Sequence, residues 1–156
     1  MTAEAKVIQI YVDADACPVK AEVLRVAERH GLLVHMVSNS WMRLPDSPLV
    51  RRKLVAEGPD AADDWIAAEI GPSDIVVTAD IPLAARCIKM GAKAIGSTGK
   101  PFTTDGIGMA LAMRDLSAHL RETGAIGGGP PVFTPQDRSR FLMVLEDAVQ
   151  AIKRGR

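Results

Sequence analysis

The sequence predicts a single α/β domain, built on a mostly parallel sheet with helices on both faces. Short apolar runs alternate along the chain with segments of helical periodicity, which is the pattern of parallel strands joined by helical crossovers. The length of 156 residues fits one domain, and 47% hydrophobic with 24% charged residues is the composition of a soluble domain with its own core. The predicted domain therefore spans residues 1–156.

The first two thirds of the chain contain the predicted sheet. VIQIYV (7–12) is a short apolar run typical of a strand, and a helical pattern follows from Pro18 to His30. LLVHMVS (32–38) is the next apolar run, so the chain opens with a strand, a helix and a strand. The remaining elements predicted here are strands at 49–55, 74–80 and 92–97 and helices at 58–71 and 81–91.

The last third of the chain predicts two helices that pack back onto the sheet. The first covers about 105–123, and a glycine- and proline-rich loop at 124–131 separates it from the second, at about 135–154. Asp137 stands three residues after Thr134, with Pro135 between them, which is the spacing of a capping box at the start of the second helix.

Composition excludes several classes of protein. Nineteen basic and nineteen acidic residues cancel, so no global field indicates a nucleic-acid partner, although a local basic patch stays possible. Cys17 and Cys87 lack the spacing of a disulfide framework or a zinc site. The N-terminal segment lacks the pattern of a secretory signal, and no run is long and apolar enough to cross a membrane, so we expect a cytoplasmic protein.

Three carboxylates are the strongest functional candidates. Asp13 and Asp80 each end a predicted strand, so both should project from the carboxyl edge of the sheet, where open α/β sheets bind ligands. Asp63 lies on the intervening helix and can share its sheet-facing side. Two carboxylates about 4 Å apart repel by roughly 4 kcal/mol at an effective dielectric near 20. A divalent cation resolves that repulsion, and oxygen ligands alone favour Mg²⁺ or Mn²⁺ and phosphate-ester cleavage.

Helix capping is the competing interpretation for acids at helix starts. Asp15 is either an outer member of the metal site or the residue that orders the helix beginning at Pro18. Asp60 and Asp105 can be explained by capping as well. Asp13 and Asp80 fit capping less well, because both lie at strand ends.

Four motifs follow one another along the chain: VDADACPV, DAADDWI, VVTADIPLA and FTPQDRSRF. Together they resemble the YaiI/YqxD family of uncharacterised bacterial proteins, over nearly the whole chain from Ile10 to Leu145. The resemblance implies a three-layer fold similar to PIN domains, whose nuclease members bind Mg²⁺ or Mn²⁺ through acids where Asp13, Asp63 and Asp80 stand. Two features depart from that pattern. PIN nucleases commonly carry glutamate on the middle helix, where this chain has Asp63. They also have a further acid after a later strand, where this chain has Ser97 and Thr98. Asp105 could substitute for that acid from farther along the chain.

Three functions remain open at this stage. The leading hypothesis is a PIN-like, metal-dependent phosphodiesterase acting on RNA or single-stranded nucleic acid through Asp13, Asp63 and Asp80, with Asp15 in support. A module that binds nucleic acid or another ligand without turnover is the second. The Asp-x-Asp at 13–15 also resembles the haloacid dehalogenase phosphatases, in which Asp13 would be the nucleophile, Asp15 its acid/base and Cys17 would stand in the usual threonine place.

The candidates for substrate binding are polar or basic residues expected near the carboxyl edge of the sheet. They could bind phosphate oxygens, although ion pairs with acidic residues on the protein surface explain the basic ones equally well. Trp41 could stack on a base, but contact with the core is the commoner role of tryptophan. The basic run at 51–53 could bind a nucleic-acid backbone or protect a strand edge. The residues assigned to substrate are Asn39, Lys100, Arg114 and Arg138.

Overall fold

The computed structural model describes residues 7–58, 60–122 and 132–155. It contains six strands, β1 (Gln9–Asp13), β2 (Leu33–Ser38), β3 (Val50–Leu54), β4 (Ile75–Val77), β5 (Lys93–Ile95) and β6 (Pro101–Phe102). The α-helices are α1 (Lys20–His30), α2 (Ala61–Glu69), α3 (Ile81–Lys89), α4 (Ile107–Glu122) and α5 (Pro135–Lys153). The glycine- and proline-rich loop predicted at 124–131 lies outside the described residues.

All strands belong to one sheet with the order β3-β2-β1-β4-β5-β6. The first five strands are parallel, and β6 pairs with β5 in the antiparallel direction. The predicted α/β class with a mostly parallel sheet is therefore confirmed. The strand order reverses between β1 and β4, so their carboxyl ends border the crevice where ligands bind in open α/β sheets.

Alternate residues of the strands form two separate cores, one on each face of the sheet. Ile10 and Val12 of β1 pack on the face covered by α1 and α5, where Phe141 is fully buried. Tyr11 points to the opposite face, with α2 and α3. Strands buried on both faces explain why the apolar runs are continuous rather than alternating. The result is the predicted three-layer arrangement.

Helix α5 begins with the predicted capping box. The Asp137 backbone N–H donates to Thr134 Oγ1 at 3.1 Å, and the Thr134 backbone N–H donates to Asp137 Oδ2 at 3.0 Å. These hydrogen bonds, led by the one from the Thr134 backbone, lower the pKa of Asp137. The same sequence signal that predicted the start of α5 thus corresponds to two satisfied backbone donors.

Two local features were not predicted from the sequence. A short 3-10 helix, Ala14–Ala16, follows β1, and β6 interrupts what reads in the sequence as a simple strand-to-helix turn. Because β6 runs antiparallel, it carries the chain away from the carboxyl edge. Asp105 follows β6, beside Thr103 and Thr104, which share a cavity with Pro72 and Gly91 from the opposite edge of the sheet. The suggestion that Asp105 replaces the missing late acid is therefore wrong.

Gly99 allows the turn after β5 to lie against α5. Its φ is +86°, and a Cβ atom there would lie 2.8 Å from the backbone carbon of Arg140 and from the backbone nitrogen of Phe141. Both the left-handed backbone and the close approach therefore require glycine.

Replacing Gly99 by alanine should lower the free energy of unfolding by about 2 kcal/mol or more, because the new methyl group must displace α5. Urea denaturation followed by circular dichroism measures the change. Gly108→Ala is the matched control, since a Cβ at Gly108 meets nothing within 4 Å and its φ is negative; its stability should be unchanged or slightly higher. An equal loss in both variants would contradict this role of Gly99.

Candidate functional site

A buried threonine joins the carboxyl ends of β1 and β4. The Thr78 hydroxyl donates to Asp13 Oδ2 at 2.9 Å and accepts from the Asp80 backbone N–H at 3.0 Å. Thr78 is only 2% exposed, and its backbone N–H donates to the carbonyl of Ile95 on β5. One hydroxyl group therefore orients Asp13 and the segment carrying Asp80 at the point where the strand order reverses.

Asp80 is the N-cap residue of α3. Its Oδ1 accepts from the Leu83 backbone N–H at 2.9 Å, and Pro82 lies in the first turn. This bond satisfies one of the free donors at the helix start, so the expectation that Asp80 fits capping less well is wrong. Among the described residues, the second oxygens of Asp80 and Asp13 accept no hydrogen bond. Each carboxylate thus keeps one oxygen available to a ligand.

Asp63 lies in the first turn of α2, in the electrostatic field of the other two carboxylates. Burial, followed by repulsion from Asp80 and Asp13, raises its pKa to about 6. Burial also raises the pKa of Asp13; the Thr78 hydrogen bond opposes that shift, and repulsion from Asp80 adds to it. The structure therefore brings together Asp13, Asp63 and Asp80, as the sequence predicts.

The three carboxylates lack a basic partner within the described part of the chain. Arg86 is the nearest candidate, but its guanidinium lies 2.8 Å from a carboxylate oxygen of Asp64, on the neighbouring face of α2. Arg86 lowers the pKa of Asp63 only as the last of several contributions. The repulsion inside this group, which we call the acidic edge (Asp13, Asp63 and Asp80), is therefore left uncompensated by the protein.

Asp15 orders a loop rather than a helix. Its Oδ2 accepts from the Asn39 backbone N–H at 3.0 Å, and its Oδ1 accepts from the Ser40 hydroxyl at 3.3 Å. Helix α1 begins after Val19 without a side-chain cap. The interpretation that Asp15 orders the Pro18 helix is thus wrong: this residue holds the chain where it leaves β2.

The four predicted substrate ligands lie in different surroundings. Asn39 is exposed next to Asp15, and Lys100 is exposed in the turn after β5. Arg114 lies on α4, with its guanidinium 3.5 Å from Asp115, and makes no described contact with the acidic edge. Only Asn39 and Lys100 follow strands at the carboxyl edge, so these two are the best positioned for substrate.

Arg138 fastens α5 to α1. Its guanidinium donates to Glu22 Oε1 at 2.8 Å and to the Pro18 carbonyl at 3.1 Å, and it lies 5.1 Å from the centre of the Phe133 ring. The Glu22 side chain is only 11% exposed, so Arg138 neutralises a largely buried charge. These contacts indicate a structural role for the residue.

Arg138→Met should lower the free energy of unfolding by about 2 kcal/mol, because it leaves the Glu22 carboxylate buried and unpaired. Adding Glu22→Gln to the same chain should recover part of that loss, since the unpaired charge is removed. A double-mutant cycle from urea denaturation measures this coupling. Strictly additive effects would contradict the proposed contact.

Thr78 is the site residue that the sequence analysis missed. Its signal is present in VVTAD, where a hydroxyl stands two residues before an acid at the end of a buried strand. A threonine in such a run reads equally well as part of the strand, and only the pairing of β1 with β4 reveals that its hydroxyl reaches Asp13.

The acidic edge does not form a complete metal cage in the described part of the chain. Within residues 7–58, 60–122 and 132–155, no group of three or more His, Cys, Asp or Glu side chains is arranged to hold a metal ion by itself. Mg²⁺ does not need such a cage, since it commonly uses one or two carboxylates together with waters and substrate phosphates. The two free oxygens of Asp13 and Asp80 match that requirement.

Comparison with known proteins identifies one family. A family model described as "Uncharacterized BCR, YaiI/YqxD family" matches residues 11–151. The chain belongs to the YaiI/YqxD family. This confirms the family predicted from the sequence motifs.

Similar relatives cover nearly the whole chain. A UPF0178 protein of Rhodospirillum rubrum is 63% identical over 150 residues, which is 96% of this chain and 100% of the relative. A UPF0178 protein of Parvibaculum lavamentivorans is 65% identical over 146 residues, covering 94% and 96% of the two chains. No solved structure matches the chain. Among the described helices, none is long and apolar enough to cross a membrane.

Asp63→Asn should stabilise the protein at neutral pH and lose that effect in acid. The pKa of Asp63 in the folded chain, about 6, is above the unfolded value near 4, so the native state is penalised once the group ionises. The variant should gain on the order of 1 kcal/mol above pH 6, a figure reduced because the side chain is partly solvated. The gain should shrink as the pH falls from about 6 to about 4.

Urea denaturation of wild type and variant across this pH range measures the difference. Asp64→Asn is the matched control on the same helix, because Asp64 is exposed and paired with Arg86. A gain for Asp63→Asn that does not change with pH would mean that repulsion at the acidic edge is not its cause.

Proposed function

We propose that the protein is a PIN-like, divalent-metal-dependent phosphodiesterase that acts on RNA or single-stranded nucleic acid at the acidic edge. The observation that carries the proposal is the uncompensated group of three carboxylates at the reversal of the strand order, two of them aligned by the Thr78 hydroxyl. Repulsion among carboxylates without a basic partner lowers the stability of the fold. Arrangements that lower stability in this way are typical of functional sites.

Asp13 and Asp80 would hold the cation, and Mg²⁺ or Mn²⁺ would supply Lewis-acid activation of a water and of the phosphate. In each of the two, a hydrogen bond fixes one oxygen and leaves the other free: Thr78 fixes Asp13, and the Leu83 backbone N–H fixes Asp80. Asp63 stands in the same field with a pKa near 6, so it can exchange a proton close to neutral pH. Asp15 contributes through the loop that it holds, since both its oxygens already accept hydrogen bonds.

Substrate would be bound by groups at the same edge of the sheet. Helix α3 begins there, and the free backbone donors of a helix start favour an anion. Lys100 offers an exposed ammonium group after β5, and Asn39 offers an exposed amide beside Asp15. These groups suit a phosphate ester that approaches across the carboxyl ends of the strands.

A module that binds its ligand without turnover is the second candidate. Two observations favour it: no described set of three ligands is arranged for a metal, and Ser97 and Thr98 stand after β5 where PIN nucleases carry an acid. The phosphatase alternative has less support. Asp15 would have to act as acid/base while both its oxygens accept hydrogen bonds, and Cys17, in the usual threonine place, is buried.

Titration of Mn²⁺ and Mg²⁺ by calorimetry is the first test. We expect binding to wild type, and a loss of at least about tenfold in affinity for Asp13→Asn, because the carboxylate with a free oxygen is removed. Affinity should also fall as the pH drops through 6, because protonation of Asp63 then withdraws a charge. Asp64→Asn is the control for a change of charge on the adjacent helix.

Turnover separates the candidate functions. Wild-type protein with Mn²⁺ should cleave bis(p-nitrophenyl) phosphate and a labelled single-stranded oligonucleotide, whereas folded Asp13→Asn should not. Release of phosphate from p-nitrophenyl phosphate alone would favour the phosphatase. Metal binding without any product would favour the binding module, and unchanged cleavage by Asp13→Asn would rule out the acidic edge as the site.

A further inference from the structure

The edge strand β3 carries a basic surface with two tryptophans. Its sequence, VRRKL, places three consecutive cations on the edge strand of the sheet, with Arg52 on the face of α1 and α5 and with Arg51 and Lys53 on the face of α2 and α3. On each face one tryptophan ring lies near one of these cations. The Arg52 guanidinium is 5.2 Å from the centre of the Trp41 ring, and Lys53 Nζ is 5.5 Å from that of Trp65. We call the five residues the β3 surface: Trp41, Arg51, Arg52, Lys53 and Trp65.

Trp41 is not part of the core. Its side chain is 68% exposed, so the expectation that a tryptophan at this position packs inside the protein is wrong. Arg52 is also held in place, because its guanidinium donates to the Met42 carbonyl at 3.0 Å. A large exposed ring beside an anchored guanidinium is a platform for stacking, and the protein itself covers little of it.

Arg51, Lys53 and Trp65 of the β3 surface lie on the same face of the sheet as Asp13, whereas Arg52 and Trp41 lie on the opposite face. Asp13 is in register with Val37, and Val37 is in register with Lys53, so the three side chains share one face of the sheet. Two strand spacings put the Lys53 backbone about 10 Å from that of Asp13. Trp65 follows Asp63 by two residues on α2. A ligand bound at Lys53 and Trp65 would therefore have to extend about 10 Å farther along this face to reach Asp13.

Protection of a sheet edge by charge explains part of this surface. Basic residues on an edge strand discourage pairing with other chains. That role does not require aromatic rings beside the cations, or an exposed tryptophan. Residues 39–58 contain four basic and two acidic side chains, in a chain whose total charge is zero. The local positive charge and the two rings together match the phosphates and bases of one nucleic-acid strand.

We propose that the β3 surface binds single-stranded nucleic acid that crosses the open edge of the sheet, with phosphates at Arg51, Arg52 and Lys53, one base stacked on the exposed ring of Trp41 and another against the half-buried ring of Trp65. The binding itself is independent of catalysis. Only the statement that the strand is delivered to the acidic edge rests on the proposed function. Unpaired bases are required, because a tryptophan ring cannot stack on bases that are enclosed in a duplex.

Fluorescence anisotropy of a labelled oligouridylate and a labelled oligothymidylate, recorded in EDTA, tests the binding without a metal. We expect Trp41→Ala to weaken it by about tenfold or more. Arg52→Gln with Lys53→Gln should weaken it by a similar factor and flatten the salt dependence, because two phosphate contacts are lost. Lys89→Gln with Arg154→Gln is the matched control, since it removes two exposed charges from the helix ends at the opposite edge of the sheet.

Three results would overturn the proposal. They are no binding by wild type, unchanged binding by both Trp41→Ala and the Arg52→Gln, Lys53→Gln variant (the β3 variants), or an affinity for a double-stranded oligonucleotide or for polyglutamate equal to that for the single strand. The last result would indicate a general polyanion surface. Thermal denaturation checks that each variant is folded. Trp41 and Trp65 are the only tryptophans in the sequence, so quenching of intrinsic fluorescence by the oligonucleotide, and its reduction in Trp41→Phe, gives a second readout.

Cleavage assays separate this inference from the proposed function. If both hold, the β3 variants should lose oligonucleotide cleavage in Mn²⁺ and keep wild-type cleavage of bis(p-nitrophenyl) phosphate, which is too small to need the surface. Binding in EDTA with no cleavage of any substrate would leave the β3 surface supported and the phosphodiesterase rejected. Cleavage of oligonucleotide by the β3 variants at the wild-type rate would overturn delivery along β3.

Discussion

The hydrogen bond from the Thr78 hydroxyl to Asp13 is the interaction on which the candidate site depends. It joins the carboxyl ends of β1 and β4, where the strand order reverses. Without it, Asp13 would face repulsion from Asp80 and Asp15 while partly buried, with no donor to compensate. The same hydroxyl accepts the Asp80 backbone N–H, so a single buried group sets the positions of two carboxylates from two strands.

The fold surrounds this point with helix starts rather than with cations. Asp80 satisfies the first turn of α3, and in return the helix dipole favours its charge. Arg86, the cation that acts on Asp63, is held by Asp64. The remaining repulsion, together with burial, raises the pKa of Asp63 and costs stability once the group is ionised. One oxygen of Asp13 and one of Asp80 keep no described hydrogen bond.

Side chains of opposite charge are separated across the sheet, with carboxylates at the acidic edge and cations on the β3 surface. Carboxylates gather at the centre, where strands are buried on both faces and few directions of approach exist. Three cations lie on the open edge strand, where long side chains can stay in water, and the exposed Trp41 lies beside one of them. A chain of zero net charge thereby carries carboxylates and cations about two strand spacings, or about 10 Å, apart. Both the proposed metal site and the proposed nucleic-acid surface rest on this separation.

The sequence by itself determined the α/β class, the five long helices, the parallel strands, the capping box of α5 and the convergence of Asp13, Asp63 and Asp80, because each rests on local periodicity or on where strands end. Tertiary structure alone decided which polar groups meet across the fold. Asp15, left open between an outer position in the metal site and a role in ordering the Pro18 helix, accepts from the Asn39 backbone. Arg138 pairs with Glu22, Trp41 lies outside the core, and the Thr78 hydroxyl donates to Asp13. These contacts join residues far apart in the chain, so no local pattern encodes them, and their partners are chosen only when the strands pair.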